Sequence, residues 1–214
     1  MLLNKHNLNL AKLTAKEESR YTINGVLISP TETIVADGHL ATILNVPDLE
    51  IEGADPVFPF IEGFTPAKRD FEPFILSRND CLDLVKRIPK SPTIPVLENV
   101  ALGQGPNGKA SFAVTDLDRD QIISVRTIQG QFPNVKQCFP TPDDAKAVVT
   151  VDAHLLIGVL TQYRELNPDK PYVCLRVYDS KTPIRMDAVC DGTGQRMTSI
   201  LMPEDGLADP TQDK

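Results

Sequence analysis

With 214 residues, 41% of them hydrophobic and 24% charged, the chain has room for one or two domains with a real core and the composition of an ordinary globular protein. A formal net charge of −7 excludes a surface coated in basic residues, although a local basic face needs only a few side chains. There is no apolar run long enough to span a membrane, and Met1-Leu2-Leu3-Asn4-Lys5-His6-Asn7 lacks the apolar core of a signal peptide, so a cytoplasmic protein is expected.

The first amphipathic stretch, Asn7 to Lys16, predicts a helix. Strand-like runs follow from Arg20 to Ser29 and from Thr33 to Val46, parted by the turn Ser29-Pro30-Thr31. Glu52 to Pro73, rich in Pro, Gly and Phe, reads as a connector. Phe74-Ile75-Leu76 predicts a short strand leading into a second helix from Asn79 to Ile88. Its apolar stripe is Cys81, Leu82, Leu84, Val85 and Ile88, with the mixed spacing of three and four that one buried face requires. Further strands are predicted at Val96 to Leu102, Ala110 to Thr115 and Gln121 to Gln129. Residues 141–147 form a linker and the best domain boundary. Val148-Val149-Thr150-Val151 predicts another leading strand, before a helix from Asp152 to Leu166 that turns Leu155, Leu156, Val159, Leu160 and Tyr163 inward. Strands at Tyr172 to Tyr178, Ile184 to Val189 and Arg196 to Leu201 come last, with Asp191-Gly192-Thr193-Gly194 as a turn. Ser77 and Asp152 suit N-cap or first-turn positions. The acidic tail, 204–214, is expected to be disordered.

Units two and three therefore read as strand, helix and three strands. Unit one reads the same without most of its leading strand. Leu8, Leu82 and Leu155 recur at roughly 74-residue intervals, the mark of an internal repeat. Two units fill residues 1–140, and a third fills 148–203.

The residues that carry chemistry are few. The four cysteines, Cys81, Cys138, Cys174 and Cys190, show no Cys-x-x-Cys pair and no histidine at zinc-knuckle spacing, so reduced thiols are expected and no metal or cofactor is implied. Asp37-Gly38-His39 holds an Asp–His pair that could orient a general base, yet Asp-Gly is also a common turn pair and no nucleophile lies nearby. His6 and His154 sit on predicted helices and read as solvated. Gly103-Gln104-Gly105-Pro106-Asn107-Gly108-Lys109 lacks the Ser or Thr of a phosphate loop and lies between strands, so it reads as a hairpin loop. The basic residues are more informative. Lys5, Lys12 and Lys16 lie on or beside helix one, and Arg78, Lys86, Arg87 and Lys90 on or beside helix two. No aromatic residues interleave with them, which argues against base stacking on a single strand and leaves sequence-independent contact with phosphates. The plain alternative is a solvated helix face.

Arg20-Tyr21-Thr22-Ile23-Asn24-Gly25 followed by Val35-Ala36-Asp37-Gly38-His39-Leu40-Ala41 resembles the middle domain of the bacterial sliding clamp, the DNA polymerase III beta subunit family. That family shows an Arg-Tyr-x-x-Asn-Gly strand and then Thr-Asp-Gly-His-Arg-Leu-Ala. Gly130-Gln131-Phe132-Pro133-Asn134 resembles the stretch that closes the same domain, and Val149 to Leu160 with Met197 to Pro203 resembles the last half of the third domain. The resemblance covers nearly all of residues 7 to 203. The sequence departs from the family by lacking a counterpart of the first domain and of the first half of the last, and by carrying Leu40 and Ala41 where the family has Arg and Leu.

The resemblance implies an α+β clamp fold, with helices packed on antiparallel sheets and facing DNA. It implies a DNA sliding clamp-like processivity factor or scaffold that holds polymerase or repair proteins on duplex DNA, with no catalysis and no cofactor. A clamp-derived protein-interaction module that binds clamp partners without encircling DNA is the alternative. Partners would be double-stranded DNA and a DNA polymerase, clamp loader or repair protein docking through short linear peptides. The apolar cleft for such peptides would carry over to Ile23, Gly38, His39 and Leu40, to Pro140, and to Ile200, Met202 and Pro203. A homo-oligomer is expected, with the incomplete third unit completing its sheet against a neighbour.

Overall fold

In the computed structural model, the described residues are 1–15, 22–47, 57–90, 92, 94–104, 109–140, 145–191 and 193–204. Residues 141–144 of the expected linker and 205–214 of the expected tail lie outside them. The chain forms two compact units, Met1–Phe139 and a second beginning at Pro140.

The first repeat does have its leading strand. β1 (Leu2–Asn4) runs directly into α1 (Lys5–Asn9), which tightens to a 3-10 turn over Leu10–Leu13. The helix predicted from Asn7 starts earlier because Asn4 caps it. The Asn4 side chain accepts the N–H groups of His6 and Asn7, and Asn7 reaches back to the Asn4 N–H. β2 (Gly25–Ile28), β3 (Glu32–Ala36) and β4 (Ala41–Asn45) form an antiparallel meander. The strand predicted over Thr33 to Val46 is thus a hairpin. The second repeat runs from β5 (Phe74–Ser77) into α2 (Arg78–Arg87), where Ser77 Oγ accepts the Asp80 N–H at 3.1 Å. Its meander is β6 (Asn99–Gln104), β7 (Lys109–Thr115) and β8 (Asp120–Arg126). Val96, read as a strand start, lies in a 3-10 turn that Pro95 opens.

Within this unit the repeats exchange their leading strands. The sheets run β4-β3-β2-β5 and β1-β6-β7-β8, so each combines one repeat's meander with the other's first strand. Leu3 stands opposite Val100, and Leu76 opposite Val26. α1 and α2 pack on each other. One core cluster draws on both helices and both sheets, including Leu3, Leu8, Val26, Ile28, Leu76, Leu84, Val100 and Leu102. Burial of this apolar surface is the main force holding the two repeats as one body.

The outer sheet faces are covered by straps. Phe58, Ile61 and Phe64 lie against Leu2, Ala101 and Ala113 of one sheet. Gly103 makes room for Phe64, since a Cβ there would come within 2.6 Å of the ring. Phe132 and Val135 cover Ile34 and Ala36 of the other, together with Ile23 just before β2. The described part of the expected connector is therefore a packed strap. Both straps share a signature, Phe58-Pro59-Phe60-Ile61 and Phe132-Pro133-Asn134-Val135, each with a half-buried Phe and a buried aliphatic residue three positions on.

In the second unit, α3 (Ala153–Leu166) is capped by Asp152 and packs on β10 (Ile184–Val189) and β11 (Arg196–Leu201), while the residues of β9 (Cys174–Arg176), paired to β10, are exposed. The sheet order is β11-β10-β9, antiparallel throughout. Tyr163, Ile184, Met186 and Leu201 form the core, and the Tyr163 hydroxyl donates to the Met186 carbonyl at 2.7 Å. The leading strand predicted at Val148 to Val151 is a correction. Val149 and Val151 pack on this core, but the segment joins no sheet. The strand predicted over Tyr172 to Tyr178 shortens to three residues.

The caps also correct the repeat register. Asn4, Ser77 and Asp152 are equivalent, so Leu8 matches Cys81 and Leu156. Leu82 and Leu155 each lie one place to either side.

Candidate functional site

The sequence-predicted cations gather around the helical layer of the first unit, but they are not equally available. Arg78 is a structural residue. Its Nη1 donates to the Ala11 carbonyl at 2.8 Å and to the Lys12 carbonyl at 3.2 Å, with longer contacts to Thr14. It thereby satisfies the carbonyls left open where the first helix ends, and it ties α2 to that end. Lys86 is exposed and pairs with Asp83 at 2.8 Å, and Lys5 pairs with Glu98 at 3.7 Å. Lys86 holds the Asp83 carboxyl below its ordinary range. Arg87 donates to the Gln121 side chain at 2.8 Å. Lys12 and Lys90 are exposed. Lys16 lies outside the described residues.

The Asp37–His39 pair is a turn. Asp37 Oδ1 accepts the backbone N–H groups of His39 and Leu40, both at 2.8 Å, and these bonds hold its carboxyl below the usual range. Gly38 supplies the positive φ of 95° that the turn needs. The second repeat makes the same turn between β7 and β8, where Asp116 Oδ1 accepts from Asp118 and Arg119 and Leu117 takes the positive φ. A feature repeated in both meanders is a way of closing hairpins.

The residues carried over to a peptide cleft divide by environment. Ile23, 8% exposed, is core beneath Phe132 and Val135, and so is no surface wall. Gly38, His39 and Leu40 form the exposed hairpin tip of the first unit. In the second unit Pro140, Ile200 and Met202 are exposed and Pro203 is half-buried.

The sequence reading passed over one charged group. On the sheet of the second unit, Arg176 and Arg185 flank Asp187, which also accepts from the Thr198 hydroxyl at 2.8 Å. Arg185, and then Thr198, draw the Asp187 pKa down to about 2. Alternation of charged and apolar residues along β10 was the available signal. Among the described residues, no group of three or more His, Cys, Asp or Glu side chains could hold a metal ion. No helix among them is long and apolar enough to cross a membrane. Cys81, Cys138 and Cys174 are free thiols, and burial pushes the Cys81 thiol up.

The fold recurs in solved structures. The beta subunit from DNA polymerase of Streptococcus pyogenes superposes with a TM-score of 0.66 at 12% identity, over 96% of this chain and 50% of that one. The fold is that of the DNA polymerase III beta subunit. The beta subunit of Borrelia burgdorferi, solved in complex with a natural product, gives 0.58 at 14% identity over 94% of this chain and 48% of that one. That of Thermotoga maritima gives 0.50 at 15% over 95% and 50%. The chain thus spans about half the length of the beta subunits it matches, and at this identity the likeness lies in the fold. No family model matches the sequence, and no curated protein matches it either.

Proposed function

We propose that this protein is a clamp-like processivity factor or scaffold that holds polymerase or repair proteins at duplex DNA in the cytoplasm, without catalysis. The observation that carries the reading is the beta-subunit fold with exposed cations on and beside its paired helices, namely Lys5, Lys12, Lys86, Arg87 and Lys90. Such a layer suits phosphates read without regard to sequence. Retention on a duplex should be weak and should fall steeply with salt. Lys86→Glu combined with Arg87→Glu should weaken it further and flatten the salt dependence, while unfolding midpoints hold. Filter or gel retention on duplexes of unrelated sequence checks this, and unchanged retention removes these residues from the DNA face.

The second reading is a clamp-derived interaction module that binds clamp partners without encircling DNA. It is favoured by the ion pairs that occupy Lys5 and Lys86, by the structural role of Arg78 and by the net charge of −7. The exposed tip at Gly38 to Leu40 and, separately, Ile200 and Met202 offer apolar anchor points for short peptides. With Leu40 where the resembled family has Arg, an apolar peptide is preferred. Met202→Ala should weaken such a peptide by about 1–2 kcal/mol with little change in melting temperature. A calorimetric titration showing no peptide binding to the intact chain would rule this site out.

A further inference from the structure

The outward face of the second unit's sheet gathers positive charge in a chain whose net charge is −7. Each of its three strands places one arginine there, and the register shows why. Met186 is fully buried and points to the core, so its neighbours Arg185 and Asp187 point away from it. Their cross-strand partners, Arg176 on β9 and Thr198 on β11, point the same way. Arg196 stands opposite Val189, two places beyond Asp187, and shares the face. With Tyr178 these side chains line an open depression of about 440 Å³, the size of a ligand site.

Packing does not call for this charge. Arg176 and Arg185 stand directly opposite each other, and like charges in that position destabilise a sheet. Among the described residues, Asp187 is the one acidic group lining the depression, against three arginines. Arg185 holds it in a fork, Nε to Oδ2 at 2.9 Å and Nη2 to Oδ1 at 3.0 Å, and Arg176 donates to it from Nη1. Among the described residues these bonds leave Nη1 of Arg185, and Nε and Nη2 of Arg176, as donors still to be used. Arg196 makes no ion pair or side-chain hydrogen bond with any described residue.

The chemistry that fits is a peptide bearing carboxylates. A guanidinium matches a carboxylate with two parallel bonds, as Arg185 already does with Asp187. Tyr178 and Val189, 58% and 49% exposed, border the charges and offer apolar contact that a run of phosphates could not use. We propose that this face docks an acidic segment of a partner protein, with its carboxylates on Arg196 and on the unused donors of Arg176 and Arg185, and an apolar side chain on Tyr178 and Val189. None of the three arginines belongs to the cleft carried over from the resembled family, and the site does not depend on contact with DNA. Asp187 is then a resident competitor, a carboxylate that holds two of the arginines at the ligand's expense.

The test is fluorescence anisotropy of the full chain with a labelled glutamate-rich peptide carrying a single leucine. Saturable binding that weakens with salt is expected, and the same peptide with glutamine for glutamate should not bind. Arg196→Gln should weaken binding about threefold to fivefold, the scale of an exposed ion pair. Asp187→Asn should tighten it, because it releases Arg176 and Arg185, a change of sign that a site merely held in shape by Asp187 would not give. If Asp187→Asn does not fold, Arg196→Gln decides alone, since it breaks no ion pair among the described residues. Equal binding of the glutamine peptide, no saturable binding, or affinity unmoved by Arg196→Gln would each overturn the proposal. So would retention of duplex DNA that Arg196→Gln weakens and the acidic peptide does not displace, which would make the face a phosphate site.

Discussion

Several single residues do work that their type alone does not announce. Asn7 is fully buried, and its Nδ2 donates to Thr33 Oγ1 at 2.9 Å and to the Asn45 carbonyl at 3.1 Å, fastening α1 to β3 and β4. Asn7→Ala takes the donor from the buried Thr33 hydroxyl and from the Asn45 carbonyl, so a loss of about 1–2 kcal/mol is expected in urea unfolding of the first unit. Leu117 carries a φ of 76° in the position where the sister hairpin has Gly38. A side chain in that region is strained, so Leu117→Gly should stabilise the unit by up to about 1 kcal/mol, and Gly38→Leu should do the opposite. Asp187 gives a pH signature. Its pKa is lowered from 3.8 to about 2, so its pairing stabilises the second unit above that ordinary value and is lost as pH falls toward 2. Asp187→Asn should therefore differ from the unaltered chain at pH 5 and converge with it in strong acid, as followed by tyrosine fluorescence.

At the scale of elements, the straps decide which sheet faces meet water. Ile61 is 3% exposed beneath Phe58 and Phe64. Ile61→Ala leaves a cavity over the β1-β6-β7-β8 sheet and should cost about 2–4 kcal/mol. The matching Val135→Ala removes less volume and should cost less, and it should raise exchange at Ile23 and Ile34. Helices α2 and α3 and strands β10 and β11 were legible from periodicity and caps, because each has one strongly apolar face and clear punctuation. The straps were not read as packed elements, because they have no periodicity. Their shared Phe-Pro-x-aliphatic signature is a repeat signal that becomes visible only once the two faces they cover are known.

At the scale of the whole molecule, the two units should respond differently to an acidic ligand. If the arginine face of the second unit docks it, the melting midpoint of that unit rises with ligand concentration while that of the first unit stays fixed, since only binding linked to folding shifts a transition by mass action. Calorimetry of the full chain with and without the glutamate-rich peptide reads both transitions at once.

What the sequence by itself determined is the repeated plan of a helix followed by antiparallel strands, the α+β class, and the family likeness carried by Asp37-Gly38-His39 and Gly130-Gln131-Phe132-Pro133. These are local patterns, set by side-chain spacing and turn chemistry within a few residues. Only the tertiary structure decided that the repeats exchange leading strands, that Arg78 closes the end of the first helix and that Ile23 is core. It also decided that Val148 to Val151, strand-like in composition, form no strand in a single chain. A strand exists only beside another strand, because its backbone N–H and C=O groups are satisfied across the ladder and not within the segment.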